Sequence, residues 1–261
     1  MSGPYTSEPM RQADRLSIIL EELSDGGSVN VTDLCGRLGV SAATIRRDLR
    51  LLEENRLLKR THGGAVTQGL LYELPLRYKS ARHQEEKRRI ARAAVQLVPD
   101  GASVGLTGGT TTTEVARALI GRQELTIVTN ALNIASELAV RPNLRLVVTG
   151  GMARSASYEL VGPLAEASLN ELNLDLAIVG VDGVSAGSGL TTHHEIEAHT
   201  NLALMERARR VVVVADGSKV GHTAFARIAS VDRVNDLITD GSADQASLAA
   251  IAEAGVTVTT V

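Results

Sequence analysis

Apolar residues recur at helical spacing through the first fifty positions of the chain. Leu16, Ile19, Leu20 and Leu23 form one stripe and predict a helix from about Arg11 to Leu23, stopped by Asp25-Gly26-Gly27. Val31, Leu34, Cys35 and Leu38 predict a second, shorter helix, with Gly39 turning the chain into Val40. Ile45, Leu49 and Leu52 then fall at i, i+4 and i+7. Ser41 stands before them as an N-cap whose hydroxyl can satisfy an amide of the first turn. At about 100° per residue, Ala43, Arg47 and Arg50 lie opposite that stripe, flanked by Thr44 and Arg46. One side of this third helix is built to be buried. The other offers guanidinium groups and small side chains, which suits a helix laid in a DNA major groove. Helix, helix, glycine turn, basic helix is the helix-turn-helix order. Residues 56–66 read as two short strands joined by a glycine turn at Gly63-Gly64. They form a wing on which Arg56, Lys59, Arg60 and His62 can reach backbone phosphates. This order of elements, with the Arg-rich wing, favours DNA binding over a small three-helix domain with a solvated charged face.

The pattern changes after Gly101. Strands are predicted at Ser103–Leu106, Leu125–Thr129, Leu144–Thr149, Leu174–Val179, Arg210–Ala215, Leu237–Thr239 and Val256–Val258. Helices are predicted over 112–119, 132–139, 194–208 and 244–253. The consecutive valines near 212 suit a strand buried on both faces. Strands alternating with helices imply a mostly parallel α/β sheet with helices on both faces. A further helix over 84–98 begins with Glu85, Glu86, Lys87, Arg88 and Arg89, read as a solvated face or an interdomain contact. The boundaries follow: a disordered tail over 1–10, a winged helix-turn-helix domain over 11–66, a linker over 67–82 and an α/β domain over 83–261. Leu70-Leu71-Tyr72 and Leu74-Pro75-Leu76 of the linker are expected to pack between the domains.

In parallel sheets ligands sit beyond the carboxyl ends of the strands, so the loops there carry the chemistry. Thr107-Gly108-Gly109-Thr110-Thr111-Thr112 joins a strand to a helix. Two glycines let backbone approach an anion, the threonines supply hydroxyls, and the helix N-terminus adds free amides and partial positive charge. This reads as a phosphate cradle, against the plainer alternative of a β-α turn with a Thr cap. No Gly-Lys-Ser/Thr sequence follows, so a nucleotide P-loop is not indicated. Other strand ends offer Thr129-Asn130, the close-approach pair Gly150-Gly151, Asp182 to accept from sugar hydroxyls, Glu195 at a helix start and Lys219 as a cation for phosphate. His193, His194, Glu195, Glu197 and His199 invite a metal reading. Too few of them share one helix face, so no metal is assigned.

Composition adds limits. A length of 261 residues fits two domains, and with one Phe and no Trp the core must be aliphatic. Net charge is −3, yet residues 46–60 hold six basic and three acidic side chains, so attraction to DNA is local and salt-dependent. Cys35, the single cysteine, excludes an intrachain disulfide and reads as a small core residue. No secretory signal and no apolar run near the ~18 residues of a membrane span is present. A soluble cytoplasmic protein without a cofactor is the expectation.

Residues 11–66 resemble the N-terminal domain of the DeoR family of bacterial transcriptional regulators. The likeness rests on Val40-Ser41, Thr44-Ile45-Arg46-Arg47-Asp48-Leu49, Leu52, Arg60 and His62-Gly63-Gly64, and it extends through nearly all of the remaining chain. It implies a sequence-specific DNA-binding regulator, usually a repressor of carbohydrate genes, with a C-terminal domain similar to ribose-5-phosphate isomerase. It also implies a phosphorylated sugar effector, double-stranded operator DNA as partner and a homo-oligomer, dimer or tetramer. DNA-contacting residues are expected at Ser41, Ala43, Thr44, Arg46, Arg47, Arg50, Arg60 and His62. The effector site is expected at Thr107, Gly109, Thr110, Thr111, Thr112, Asn130, Gly151, Asp182, Glu195 and Lys219. The alternative is an isomerase-like enzyme with a DNA-binding attachment, with Asp182 and Glu195 as candidate bases. In such isomerases a lysine precedes the glycine loop, and the similar loop here, Ser185-Ala186-Gly187-Ser188-Gly189, has none. No catalytic residue is therefore expected.

Overall fold

The computed structural model describes residues 10–55, 57–67, 75–79 and 83–261, save the side chains of Glu21, Ser24 and Asp25. The expected tail before Met10, Arg56 and the linker stretches 68–74 and 80–82, with Leu70-Leu71-Tyr72 and Leu74, lie outside the described residues. The chain divides into two compact units, residues 1–82 and 83–261.

In the first unit, α1 (Gln12–Gly26) ends at Gly27, whose φ of 69° is the left-handed cap that glycine permits. A short strand, β1 (Ser28–Asn30), leads into α2 (Val31–Leu38), which Asn30 caps through Thr32 N. The α3 helix (Ala42–Glu54) is capped by Ser41, whose side chain accepts from Thr44 N. Ile45, Leu49 and Leu52 are buried against Leu16, Ile19, Leu20, Leu23 and Leu34, each contributing about 1.5–3 kcal/mol of burial. Strands β2 (Lys59–Arg60) and β3 (Gly64–Val66) pair antiparallel, and β1 pairs with β3 to give a three-stranded wing in the order β1-β3-β2. At three residues, β1 is too short to show a period, which is why the pattern did not reveal it. The wing turn runs over residues 61–63, closed by Thr61 N donating to Gly64 O. Gly64 itself lies in β3, where an added Cβ would stand 1.8 Å from Val29 O. Part of the expected linker is a single helical turn, α4 (Leu76–Lys79), packed on α1, with Tyr78 in the first unit's core.

The second unit opens with α5 (Gln84–Gln96). Lys87, expected on a solvated face or at an interdomain contact, is buried and so not solvated, because it shares the inward stripe of Ile90, Ala91 and Ala94. Then come β4 (Ser103–Leu106), α6 (Thr110–Leu119), β5 (Thr126–Thr129), α7 (Leu132–Leu138) and β6 (Arg145–Val148). A hairpin of β7 (Met152–Ala153) and β8 (Leu160–Val161) precedes α8 (Pro163–Asn170), which begins with proline in its first turn. The chain continues through β9 (Leu174–Gly180), β10 (Gly183–Ser185), β11 (Gly189–Thr192), α9 (Glu195–Glu206) and β12 (Ala208–Val214). It ends with β13 (Ala226–Ala229), β14 (Asp236–Thr239), α10 (Gln245–Glu253) and β15 (Thr257–Thr260).

Seven of these strands make one parallel sheet in the order β15-β14-β12-β9-β4-β5-β6. Alternate residues of each strand serve opposite faces. Leu176 and Ile178 pack with Ile90, Val115 and Ile134, whereas Ala177 and Val179 pack with Leu169, Leu204 and Leu248. Thus α5, α6 and α7 cover one face and α8, α9 and α10 the other. A separate antiparallel sheet, β10-β11-β13, and the β7-β8 hairpin were not predicted, since strands of two to four residues leave no readable alternation. The strand order reverses between β4 and β9, and at such a switch point two loops leave the sheet in opposite directions and open a crevice.

Candidate functional site

On α3, Ala43, Arg46, Arg47 and Arg50 are exposed on one face, and no carboxylate among the described residues pairs with the three arginines. Asp48 lies on the inward face. It accepts from Gln12 Nε2 at 3.0 Å and Arg15 Nε at 2.8 Å, tying α3 to α1 and withdrawing a negative charge from the basic surface. Ser41 and Thr44 share a hydroxyl–hydroxyl bond of 2.9 Å at the helix start. Arg60 is tied inward: its backbone N–H donates to Glu53 Oε1 at 2.9 Å, and its guanidinium lies 3.8 Å from Glu53 Oε2. His62 is exposed at the wing tip. Ser41, Ala43, Thr44, Arg46, Arg47 and Arg50 therefore share one edge of the helix, while Arg60 braces the wing. Asp48 escaped the sequence reading because it is an acid within a basic run; its place at i+3 from Ile45, on the apolar stripe, was the available signal.

In the second unit the crevice at the β4/β9 switch point is built from the predicted loop. Thr107 Oγ1 accepts from Gly180 N at 3.0 Å, lacing the ends of β4 and β9 together. Gly109, at φ 128°, is the N-cap of α6 and leaves that helix without a side-chain cap. The first amides of a helix have no partner within it, so the backbone at Thr110, Thr111 and Thr112 can receive an anion. The α6 helix starts at Thr110, two residues earlier than the pattern suggested, which puts all three threonines in its first turn. The Thr112 and Thr113 hydroxyls donate to Gly109 O at 3.0 Å and 2.6 Å, fixing the turn. Lys219 closes a 3-10 turn whose backbone is clamped by Asp240: Oδ2 of that residue accepts from Gly217 N at 2.6 Å. Burial pushes the Asp240 carboxyl up, but the Ser242 hydroxyl and the amides of Gly217 and Ser242 together outweigh it and hold the carboxyl below its usual value. Lys219 Nζ lies 3.8 Å from Asp182 Oδ1, and His193 Nε2 lies 3.7 Å from the same oxygen. Asp182 also accepts from the Thr192 hydroxyl at 3.2 Å.

Three residues the sequence reading did not place in the pocket sit among these. Glu159, fully buried, accepts from Gly108 N through Oε1 at 2.7 Å. Glu197 is buried on α9; it pairs with Arg154 of the β7-β8 segment and lies 3.3 Å from Thr192 Oγ1, whose one hydroxyl proton it shares with Asp182. Burial, then the charge of Glu197, pushes the Glu159 carboxyl well above its usual value, against the opposing pull of the Gly108 amide. One isolated cation (Arg154) and one isolated acid (Glu159) in a stretch of small and apolar residues were the signals available. Asn130 Nδ2 donates to Leu160 O at 3.3 Å, and its Oδ1 is buried without a partner among the described residues. Gly151, at φ 134°, lies where a Cβ would meet Val161 N at 2.9 Å, so hairpin pairing requires it.

Glu195 is not brought to this group. It opens α9 on the exposed side, 3.7 Å from His194 Nδ1, and the inward carboxylate of that helix is Glu197. His194 precedes the helix and caps it by accepting from Ile196 N at 3.3 Å. His199 is exposed and lines an apolar hollow of about 360 Å³ with Met152, Leu164 and Ile196. Among the described residues, no three His, Cys, Asp or Glu side chains are placed to hold a metal ion. No helix there is long and apolar enough to cross a membrane.

Residues 15–68 match the DeoR-like helix-turn-helix domain, and residues 82–241 match the DeoR C-terminal sensor domain. The chain is 41% identical over 250 residues to the HTH-type transcriptional regulator GlpR of Haloferax volcanii, covering 95% of this chain and 98% of that protein. It is 35% identical over 231 residues to the glycerol-3-phosphate regulon repressor of Escherichia coli K12, covering 88% and 92%. Ribose-5-phosphate isomerase A of Methanocaldococcus jannaschii aligns at 23% identity and a TM-score of 0.40, covering 52% of this chain and 54% of that one. That likeness is too slight to support any argument about chemistry.

Proposed function

The chain belongs to the DeoR family of transcriptional regulators, and we propose that it is a repressor of carbohydrate genes that a phosphorylated sugar releases from its operator. The observation that carries this reading is one chain bearing two complementary surfaces. One is an exposed Arg46/Arg47/Arg50 face. The other is a switch-point crevice with uncapped helix amides and a lysine. Arg47 and Arg50 read base edges or phosphates, and Ser41, Ala43, Thr44 and Arg46 set the close approach of the helix. Thr107 and Gly109 shape the loop, the amides of Thr110, Thr111 and Thr112 receive the phosphate, and Lys219 neutralises it. Asn130, Gly151 and Asp182 bind or shape the hydroxyl-bearing part, and Glu197 takes the acidic role first expected of Glu195. A homodimer presents two α3 helices to a twofold operator. Thermal-shift screening of the full chain against sugar phosphates tests the pocket: a true ligand at ~100 Kd adds ~2.7 kcal/mol. No shift with any phosphorylated sugar would remove the effector half of the proposal.

A second reading, sugar-phosphate isomerisation, is favoured by one observation: a buried carboxyl with a raised pKa beside two more acids. Binding alone is the better reading. Asp182 is held by Lys219 and His193 and Glu197 by Arg154, with the one Thr192 hydroxyl proton shared between the two acids. Neither acid is left as a free base. Incubation with pentose and hexose phosphates, followed by aldose–ketose analysis, decides between the two.

A further inference from the structure

The Gly108-Gly109 loop does not present its amides evenly. Gly108 N–H already has a partner, Glu159 Oε1 at 2.7 Å. The carboxyl lies on the loop itself: a Cβ added to Gly108 would stand 2.4 Å from Glu159 Cγ and 2.6 Å from Cδ and Oε1. Glu159 is thus seated where an acceptor oxygen of a bound anion would sit. Among the described residues no salt bridge to Glu159 is found, and the neighbouring cation, Arg154, pairs with Glu197. Its neighbours Glu197 and Asp182 are acids, a repulsion that any anion seated there must also meet. The residue before it, Tyr158, has a φ of 61°, a left-handed backbone that side-chain-bearing residues seldom adopt. The hairpin is pinned at its base by Leu160 N donating to Asn130 O at 2.7 Å and Leu132 N to Tyr158 O at 2.9 Å. The backbone can therefore stay fixed while the side chain turns.

We propose that Glu159 is a built-in competitor for the phosphate seat: its carboxyl holds the Gly108 amide until a phosphate monoester displaces it. This rests on the phosphate reading of the pocket given above. The device sets a threshold. A ligand with several acceptor oxygens and a full negative charge gains the loop amides and Lys219 together and can evict one carboxyl. An unphosphorylated sugar offers one neutral hydroxyl oxygen at that place and cannot. Glu159 then determines specificity by raising the affinity any entrant must have.

The test is titration of the full chain with inorganic phosphate, by calorimetry and by the shift of the thermal midpoint. Glu159→Ala empties the seat and Glu159→Asp withdraws the carboxyl from it; each is expected to bind phosphate at least tenfold more tightly than the parent. Glu159→Gln keeps an acceptor oxygen within reach of Gly108 and is expected within threefold of the parent. Should the alanine variant fail to fold, the aspartate variant, which keeps the acidic group, decides the matter. Phosphate affinity in Glu159→Asp and Glu159→Ala that equals or falls below the parent's overturns the competitor. If Lys219→Ala meanwhile abolishes the phosphate response, the pocket reading stands and only the competitor falls. No phosphate response in any chain, the variants with the emptied seat included, overturns both.

Discussion

Replacing Asp48 by alanine should loosen the recognition helix without touching any residue that meets DNA. The Asp48 side chain is 1% exposed, and it accepts from Arg15, itself 11% exposed, and from Gln12. Removing one partner of a buried pair costs about 3–5 kcal/mol, because the remaining charge keeps its desolvation penalty. Arg15 keeps one bond, Nη1 to Met10 O at 2.8 Å, which places the cost near the lower end, about 3 kcal/mol. A unit of this size holds roughly 4–12 kcal/mol in all, so roughly a quarter to three quarters of its margin is at stake. Hydrogen exchange of the full chain reads this directly. Amides of residues 42–54 should exchange roughly a hundredfold faster in Asp48→Ala, the factor that 3 kcal/mol implies, while those of β9 and β12 serve as the unchanged reference. Adding Arg15→Leu should recover most of the protection, since no orphan charge remains. Exchange over 42–54 within threefold of the parent would refute the claim that this pair holds α3 in place.

Arg47→Ala should weaken operator binding by about 1–3 kcal/mol if the side chain reads a base edge, and Arg47→Ala with Arg50→Ala should weaken it further. Unchanged affinity in a gel-shift titration of the double variant would dismiss α3 as the reader. Gly64→Ala should disrupt the wing, because its Cβ would stand 1.8 Å from Val29 O; exchange of the β1 and β3 amides should rise, and unaltered protection there would contradict the pairing. Glu159 gives the second unit a pH dependence of definite sign. Its native carboxyl is raised by burial and Glu197 above the ordinary 4.5, so the native chain keeps a proton that the unfolded chain releases. Stability therefore falls as pH rises from about 4.5 toward the native value. Glu159→Gln removes that slope: its thermal midpoint should exceed the parent's at pH 8, with the gap closing toward pH 4. A gap of equal size at both pH values would contradict the assignment.

The sequence showed what repeats. The α3 stripe of Ile45, Leu49 and Leu52 and the alternating strands of the parallel sheet carry a period long enough to read, and both are present in the structure. The Thr107–Thr112 loop was legible because glycines and hydroxyls lie together in sequence between a strand and a helix. What could not be read depends on contacts between distant positions. Glu159 meets Gly108 across 51 residues, through a hairpin whose strands are two residues each. Glu197 rather than Glu195 faces inward because of where α9 begins. Apolar residues fall nearly all round that helix, so the pattern did not fix its buried side. The solvated alternative for Lys87 fell for the converse reason: a charge on an apolar stripe looks exposed by type and buried by spacing, and here spacing prevailed.

On the proposed function, a sugar phosphate in the switch-point crevice loosens the hold of α3 on DNA. The most direct measurement titrates the full chain and Lys219→Ala onto operator DNA, with and without the sugar phosphate found by screening and with its unphosphorylated counterpart. The phosphate ester should weaken binding by the parent chain by about 1–3 kcal/mol, a typical coupling, and DNA should weaken ester binding by the same factor. Lys219→Ala should bind DNA as tightly as the parent and ignore the ester, because its 3-10 turn lies in the second unit and not in the reader. A Lys219→Ala chain that still releases DNA at the parent's ligand concentration, or a free sugar as effective as its phosphate, would contradict it.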